Sequence, residues 1–421
     1  MALLPQLLNE AGYRTYMAGK WHLGESVDQS PFAAGFQRSF AMKFGAGAHF
    51  SNRGIRETDS LKYWEDDQDV DWPEGEYSTE VYTDRIISYL EADRDSDQPF
   101  FVFAAYTSPH WPLQVPEEDL NLYAGRYEMG YDVLRERNFE TLKSAGIIPT
   151  DSRLPPRNPD ITFWDELSPA QQRLEARKME LYAAMVENLD RHVGRLLDYL
   201  RDNDFYDDTL IIFMSDNGAA AEDFYYWGPF YEYIRAHYDD SYERAGMPGN
   251  FLSYGAQWAE ASSAPYRLYK GFPSEGGIVT PMIIAGDGVR HRREYSDIYV
   301  TVMDFLPTLL ELAGGEYPDD KAPLLGDSIV DYLAGDSDVV HDENYVTTFA
   351  YEQRAYVRKG NWKLLTLEQP FDERDFALYN LADDPGESID LARSNPRKHG
   401  ELLELWRTER RRMGITLPED L

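Results

Sequence analysis

Cysteine is absent from the 421 residues. That excludes disulfides, zinc–thiolate centres and a cysteine nucleophile within this stretch. Long apolar runs are missing too: no segment reaches the roughly 18 consecutive apolar residues that a membrane-spanning helix needs. No basic segment followed by an apolar one opens the chain, so no secretory signal is legible near Met1. Positive charge is scarce, with 41 basic residues against 75 acidic ones and a formal net charge of −34. Such a surface repels nucleic acid and anionic membranes, which sets both aside as partners. The acids are dispersed rather than blocked, which speaks against a disordered acidic tail. Oligomeric state leaves no trace in the pattern.

What is present reads as globular. Apolar residues make up 43% of the chain and are spread evenly. A chain of this length suggests one large domain and a smaller one. Its centre is Asp207-Asp-Thr-Leu-Ile-Ile-Phe-Met-Ser-Asp-Asn-Gly218. Leu210–Met214 is a short unbroken apolar run, the pattern of a strand covered on both faces. Asp216 and Asn217 follow it. An Asn-Gly turn is the plain reading, but ligands of open α/β sheets collect at the carboxyl ends of strands. A carboxylate and an amide oxygen at that place suit a hard cation such as Ca²⁺ or Mg²⁺.

Along the chain, Leu4, Leu7, Leu8 and Ala11 fall at helical spacing and stop at Gly12, and a strand from Tyr13 runs into a loop with Lys20 and His22. Residues 25–76, rich in Gly, Asp and aromatics, read as long loops. A helix is expected from Thr79 to Ala92 and a strand over Phe100–Tyr106, which leads into Thr107-Ser-Pro-His-Trp-Pro112. Residues 113–165 read as surface helices and loops. Ser168-Pro-Ala-Gln171 is a helix start with a capping-box pattern, and the apolar stripe behind it runs to Leu200. This helix leading into the strand at Leu210 predicts an α/β crossover into a mainly parallel sheet with helices on both faces. The aromatic segment 219–262 reads as packing, or as one wall of a pocket for an apolar or aromatic group. A strand is expected at Ile278–Ala285 and a helix at Asp304–Ala313. Short antiparallel strands (Tyr345–Phe349, Arg354–Arg358, Trp362–Thr366, Leu378–Tyr379) and a last helix over Pro396–Arg412 close the chain. The expected division is therefore residues 1–340 and a small sheet-plus-helix unit, 341–421.

The polar residues at strand ends or in adjoining loops are Lys20, His22, His110, Asp216, Asn217 and Lys270. Singly, each has an ordinary surface or packing reading. Together they supply two cations, two imidazoles and oxygen ligands, an inventory that suits cleavage of an anionic ester. Six stretches carry a specific resemblance: Gly12-Tyr-Arg-Thr-Tyr-Met-Ala-Gly-Lys-Trp-His-Leu-Gly24, Ser108-Pro-His-Trp-Pro112, Ser215-Asp-Asn-Gly218, Lys270 with Glu275-Gly-Gly277, Asp304-Phe-Leu-Pro-Thr308, and Leu378-Tyr-Asn-Leu-Ala-Asp-Asp-Pro-Gly-Glu387. In this order they resemble the landmarks of the sulfatase family, of alkaline-phosphatase-like fold, and most of all its bacterial arylsulfatase and alkylsulfatase branch. The resemblance implies hydrolysis of a small sulfate ester, aryl or alkyl, by a calcium-dependent formylglycine mechanism. It implies that Lys20 and Lys270 hold sulfate oxygens and that Asp216 and Asn217 are calcium ligands. His110 would sit by the leaving-group oxygen, and His22 by the formylglycine hydroxyls.

One part of the pattern is missing. In the family, the Cys/Ser-x-Pro/Ala-x-Arg motif from which formylglycine is made and the Asp-Asp pair of the first strand both lie ahead of the segment that matches residues 3–24, and these residues hold no cysteine. The expectation is an N-terminally truncated sulfatase with weak calcium binding and no turnover of its own. The alternatives are a phosphoester or phosphonate monoester hydrolase of the same superfamily, and a non-catalytic remnant.

Overall fold

The computed structural model describes residues 2–56, 63–290 and 294–417. Helix α1 (Leu4–Glu10) buries Leu7 and Leu8 and ends at Gly12, whose φ of +89° only glycine adopts readily. The chain then enters strand β1 (Arg14–Lys20), the pivot of a five-stranded sheet that also contains β2 (Arg38–Met42), β3 (Tyr63–Glu65), β4 (Gln68–Val70) and β5 (Phe100–Ala105), in the order β4-β3-β2-β1-β5. The central trio β2-β1-β5 is parallel, with Tyr16 opposite Arg38 on one side and Val102 on the other. The β3–β4 hairpin extends it antiparallel.

Side chains alternate across β1, and each face has its own cover. Tyr16 and Ala18 join the core beneath α2 (Ser78–Ala92) and the later part of α4 (Pro169–Asp202), through Ile86, Leu90 and Leu200. Met17 faces the other way, against Phe36, Phe101 and Ala105. Helix α1 also meets α8 (Phe305–Leu312) through Leu7 and Leu310. Helix α3 (Gly130–Ser144) precedes α4, which begins as its sequence dictates: the Ser168 hydroxyl accepts from the Gln171 backbone and the Gln171 side chain returns to Ser168. None of the helices among the described residues is long and apolar enough to cross a membrane.

Beyond α4 come β6 (Leu210–Met214), helices α5 (Tyr231–His237), α6 (Gly255–Ser263) and α7 (Glu275–Ile278), then β7 (Met282–Gly286), and after α8 the short α9 (Val330–Leu333). The chain ends in an antiparallel sheet of β8 (Val346–Tyr351), β9 (Arg354–Lys359), β10 (Trp362–Thr366) and β11 (Ala377–Asn380), with helix α10 (Pro396–Met413) packed on it through Leu402 and Trp406. The architecture is thus mixed α/β, a mostly parallel central sheet flanked by helices plus a small C-terminal antiparallel sheet.

Several local expectations are corrected. Strand β6 does not continue the parallel sheet; it pairs antiparallel with β7 in a separate ribbon. Nor is it covered on both faces. Phe213 is 44% exposed and Ile283 on β7 is 62% exposed, while Phe103 on β5 is 45% exposed. Among the described residues β5 pairs only with β1, and β6 only with β7, so each keeps one edge without a strand partner. Residues 25–76 are not all loop, because β2 lies there, with Ser39–Met42 buried against β1. The expected strand at 278–285 divides into α7 and β7. Segment 113–165 is only partly superficial: Tyr131 and Trp164 pack against Trp258 in the largest core cluster.

Candidate active site

Three strand ends and one long loop converge. Lys20 closes β1, and His22 follows in a left-handed conformation, φ +55°. Its ring lies over Gly45, where an added Cβ would come within 2.4 Å of the imidazole, so that position must be bare. His110 lies in the loop after β5, Asp216 and Asn217 in the turn after β6, and Lys270 in the segment before α7. The Lys270 backbone donates to Ala219 O (3.1 Å), which ties that segment to the turn after β6.

The electrostatics place these residues at one site. The Lys20 ammonium is held below its usual range by burial and by neighbouring Lys270, with Asp216 and Glu222 opposing. It forms no ion pair or hydrogen bond with any described residue. His110 is pushed well below the ordinary imidazole range by burial, then by Lys270 and Lys20. His22 is lowered by burial, then by Lys20, Lys270 and Arg56. Both imidazoles are therefore neutral at neutral pH. Asp216 is exposed at the mouth and Asn217 half-buried; the Asn217 carbonyl accepts from Ser215 Oγ at 2.9 Å. Five of the six sequence-derived residues thus feel one another electrostatically, and Asn217 accompanies Asp216 by chain connectivity.

The tautomer of His110 follows from its partner. Nδ1 lies 2.9 Å from the Trp111 carbonyl, which can only accept, so Nδ1 carries the hydrogen and Nε2 keeps its lone pair. Beneath it sits His49, which the sequence did not single out. His49 Nε2 donates to His110 O (3.1 Å), and Ser78 Oγ donates to His49 Nδ1 (2.6 Å). Complete burial pushes His49 down to about 4, so it stays a neutral strut under the loop. A lone histidine in a Gly- and aromatic-rich stretch offered no spacing by which to find it.

Glu222 is the other residue that sequence reasoning passed over. Its Oε1 lies 3.2 Å from Lys270 Nζ, so one of the two lysines already has a counter-ion. The surrounding aromatics favour the packing reading. Phe224, Phe251 and Tyr238 form one cluster with Trp111, with ring centroids 5.2–5.5 Å apart, while Tyr226 and Trp227 remain exposed.

As a calcium centre the residues present do not suffice. Asp216 and Asn217 bring two side chains against the 6–8 oxygens that Ca²⁺ takes. Among the described residues no group of three or more His, Asp or Glu is arranged to hold a metal. The field of Asp216 acts instead on the cation of Lys20.

Lysines and histidines thus gather at the strand ends of a mostly parallel α/β core. The family model for Sulfatase matches residues 1–315. An uncharacterized sulfatase of Schizosaccharomyces pombe is 38% identical over 444 residues, covering all of this chain and 78% of that protein. The arylsulfatase of Klebsiella aerogenes is 36% identical over 315 residues, 74% of this chain and 67% of the enzyme. Among solved structures, Ps i-CgsB superposes with a TM-score of 0.63 at 22% identity, covering 96% of this chain and 73% of that one. The chain belongs to the sulfatase family.

Proposed function

We propose that the protein serves the hydrolysis of small sulfate monoesters, aryl or alkyl, with Lys20 and Lys270 as the sulfate clamp. The observation that carries this reading is Lys20, a lysine with no ion-pair partner among the described residues and with a second lysine beside it, in a chain of net charge −34. Two adjacent cations repel each other, and burial adds to the cost of charging them. A bound sulfate removes both penalties at once. The arylsulfatase relative supports the aryl side of the proposal. The phosphoester and phosphonate alternative gains nothing from these relatives, both of which bear sulfatase names.

The chain's own residues divide the work. The lysines hold the oxyanion and offset the charge that gathers on it as the ester bond breaks. Neutral His110, with Nε2 free, accepts a proton once the bound anion compensates the lysines and raises its basicity, then delivers it to the departing oxygen. His22 stands by the same lysines to assist release. The family's nucleophile is formylglycine, and these residues contain no cysteine from which to make it; Ser263-Ala-Pro-Tyr-Arg267 has the spacing of the serine form, but it lies in the segment leading to Lys270, where Ser263 Oγ donates to Gly276 O at 3.5 Å. Calcium is likewise under-supplied, so no step is assigned to either group. Residues 1–421 alone are accordingly expected to bind sulfate without turning over a sulfated chromogenic phenol. Sulfate titrated calorimetrically into the wild type, Lys20→Ala and Lys270→Ala tests this. Each variant should bind roughly tenfold or more weakly, in line with hydrogen bonds to charged groups. Binding that ignores both substitutions would overturn the proposal, whereas phenol release abolished by Lys270→Ala would overturn only the expectation of no turnover.

A further inference from the structure

Lys270 sits in a loop, where a flexible side chain needs something to fix it. The turn that opens α7, Glu275-Gly276-Gly277, provides the fixture. Gly276 N donates to Arg267 O (3.1 Å), and Gly218 N, right after Asn217, donates to Gly277 O (3.1 Å). The packing is closer than any Cβ allows. A methyl at Gly276 would fall 2.4 Å from Arg267 O, one at Gly277 2.0 Å from Phe272 O, and one at Gly218 2.1 Å from Gly276 O. This turn therefore touches both sides of the Lys270 segment and the Asp216–Asn217 turn at once, and it sets their separation.

The turn is anchored from the C-terminal sheet. Lys363 on β10 has no exposed surface; its Nζ lies 2.6 Å from Glu275 Oε1 and 2.7 Å from Glu387 Oε1. Glu387 Oε2 in turn accepts the Glu275 backbone N–H at 3.0 Å. Arg358 of β9 stands 3.9 Å from Glu275 Oε2 and balances the second carboxylate. Both ends of Glu275, its main chain and its side chain, are thus gripped by residues about a hundred positions away in sequence. A buried ion cluster stabilises little compared with an apolar replacement, but it imposes one geometry.

We propose that Lys363 and Glu387 are positioning residues for sulfate binding: by gripping Glu275 they hold the 275–277 turn, and through it Lys270, at the distance from Lys20 that one sulfate spans. The inference rests on the reading of Lys270 as a sulfate ligand. It gives the C-terminal sheet a role in the chemistry of the site beyond the donation of Arg354 Nη1 on β9 to Gly271 O at 3.4 Å.

A double-mutant cycle on the 421-residue protein tests it, with inorganic sulfate as the probe. Lys363→Met should weaken sulfate binding on the order of tenfold, the size of coupling seen between residues that share a structural link. The same substitution in a Lys270→Ala background should change binding less than about twofold, while in a Lys20→Ala background the full loss should persist. A general loosening of the fold would weaken binding equally in both backgrounds, and that result overturns the proposal, as does wild-type affinity in Lys363→Met. Should Lys363→Met fail to fold, Glu275→Gln keeps the side-chain volume and is measured in the same two backgrounds, where the same pattern is expected and the same results overturn it. If Lys20→Ala and Lys270→Ala themselves leave binding unchanged, it is the functional reading that fails, and this inference falls with it.

Discussion

Removal of the Lys363 ammonium should cost stability with a particular pH dependence. At an effective dielectric of about 20, contacts of 2.6 and 2.7 Å are each worth roughly 6 kcal/mol of attraction. Desolvation of three buried ions takes back most of that sum, and the net cost of deleting one member is about 3–5 kcal/mol. In Lys363→Met the cost resides in Glu275 and Glu387, two carboxylates left facing each other. Glu387 is already raised above its ordinary range by burial, with Lys363 opposing and Glu275 adding to the rise. Without the lysine its folded-state pKa climbs further, so the folded variant binds a proton that the unfolded chain releases. A group raised in the folded state stabilises at low pH, and its penalty grows as pH passes from the unfolded to the folded value. Urea midpoints of wild type and Lys363→Met should therefore lie far apart near about pH 8 and draw together near about pH 5. A gap of the same size at both pH values, or one equivalent to less than about 1 kcal/mol, would refute the account of the cluster.

Two further outcomes follow from the site. Sulfate binding should favour proton uptake: His110 is held neutral in the free site first by burial and then by Lys270 and Lys20, and the anion cancels the lysines' share. Affinity should then rise as pH falls through the bound-state value and level off above it at the affinity the lysines supply, with a slope of at most one proton, and His110→Asn should flatten the profile; calorimetry in buffers of different ionisation heat reads this directly. Glu222→Gln frees Lys270 from its internal counter-ion, and because the pair is partly exposed the gain in sulfate affinity should be modest, about threefold; a loss of affinity instead would show that Glu222 supports the clamp rather than competing for it.

The legible parts of this protein are those whose signal is local. The capping box at Ser168 marked the start of a 34-residue helix, and polar residues closing apolar runs marked Lys20, His110 and Asp216 as strand-end groups. The C-terminal meander was likewise readable from short alternating runs between turns. What was hidden lacks a period. Strand β2 is five residues long, buried from Ser39 onward, and its Ser39 and surrounding glycines read as loop. The exposure of β6 was equally invisible, because an apolar run reports that a strand can be covered and not whether a neighbour covers it. Glu222, His49 and the Glu275–Lys363–Glu387 cluster depend on partners brought together from distant segments, for which a single sequence holds no code.

Distance also explains how a chain of such negative charge can gather an anion at all. At 0.1 M salt, charges farther than about 10 Å are largely screened, so most of the 75 acidic residues do not reach a sulfate already in place. They act instead on its approach, as a repulsive field that salt weakens. The lysines proposed to hold it are half-buried, where screening is less, so on the proposed reading Lys20 and Lys270 govern affinity while the surface governs encounter. A site built this way needs its lysines fixed more than it needs them numerous. One rigid turn, made of glycines that allow the approach and an acid gripped from a separate sheet, meets that need without adding another cation to compete for the pocket.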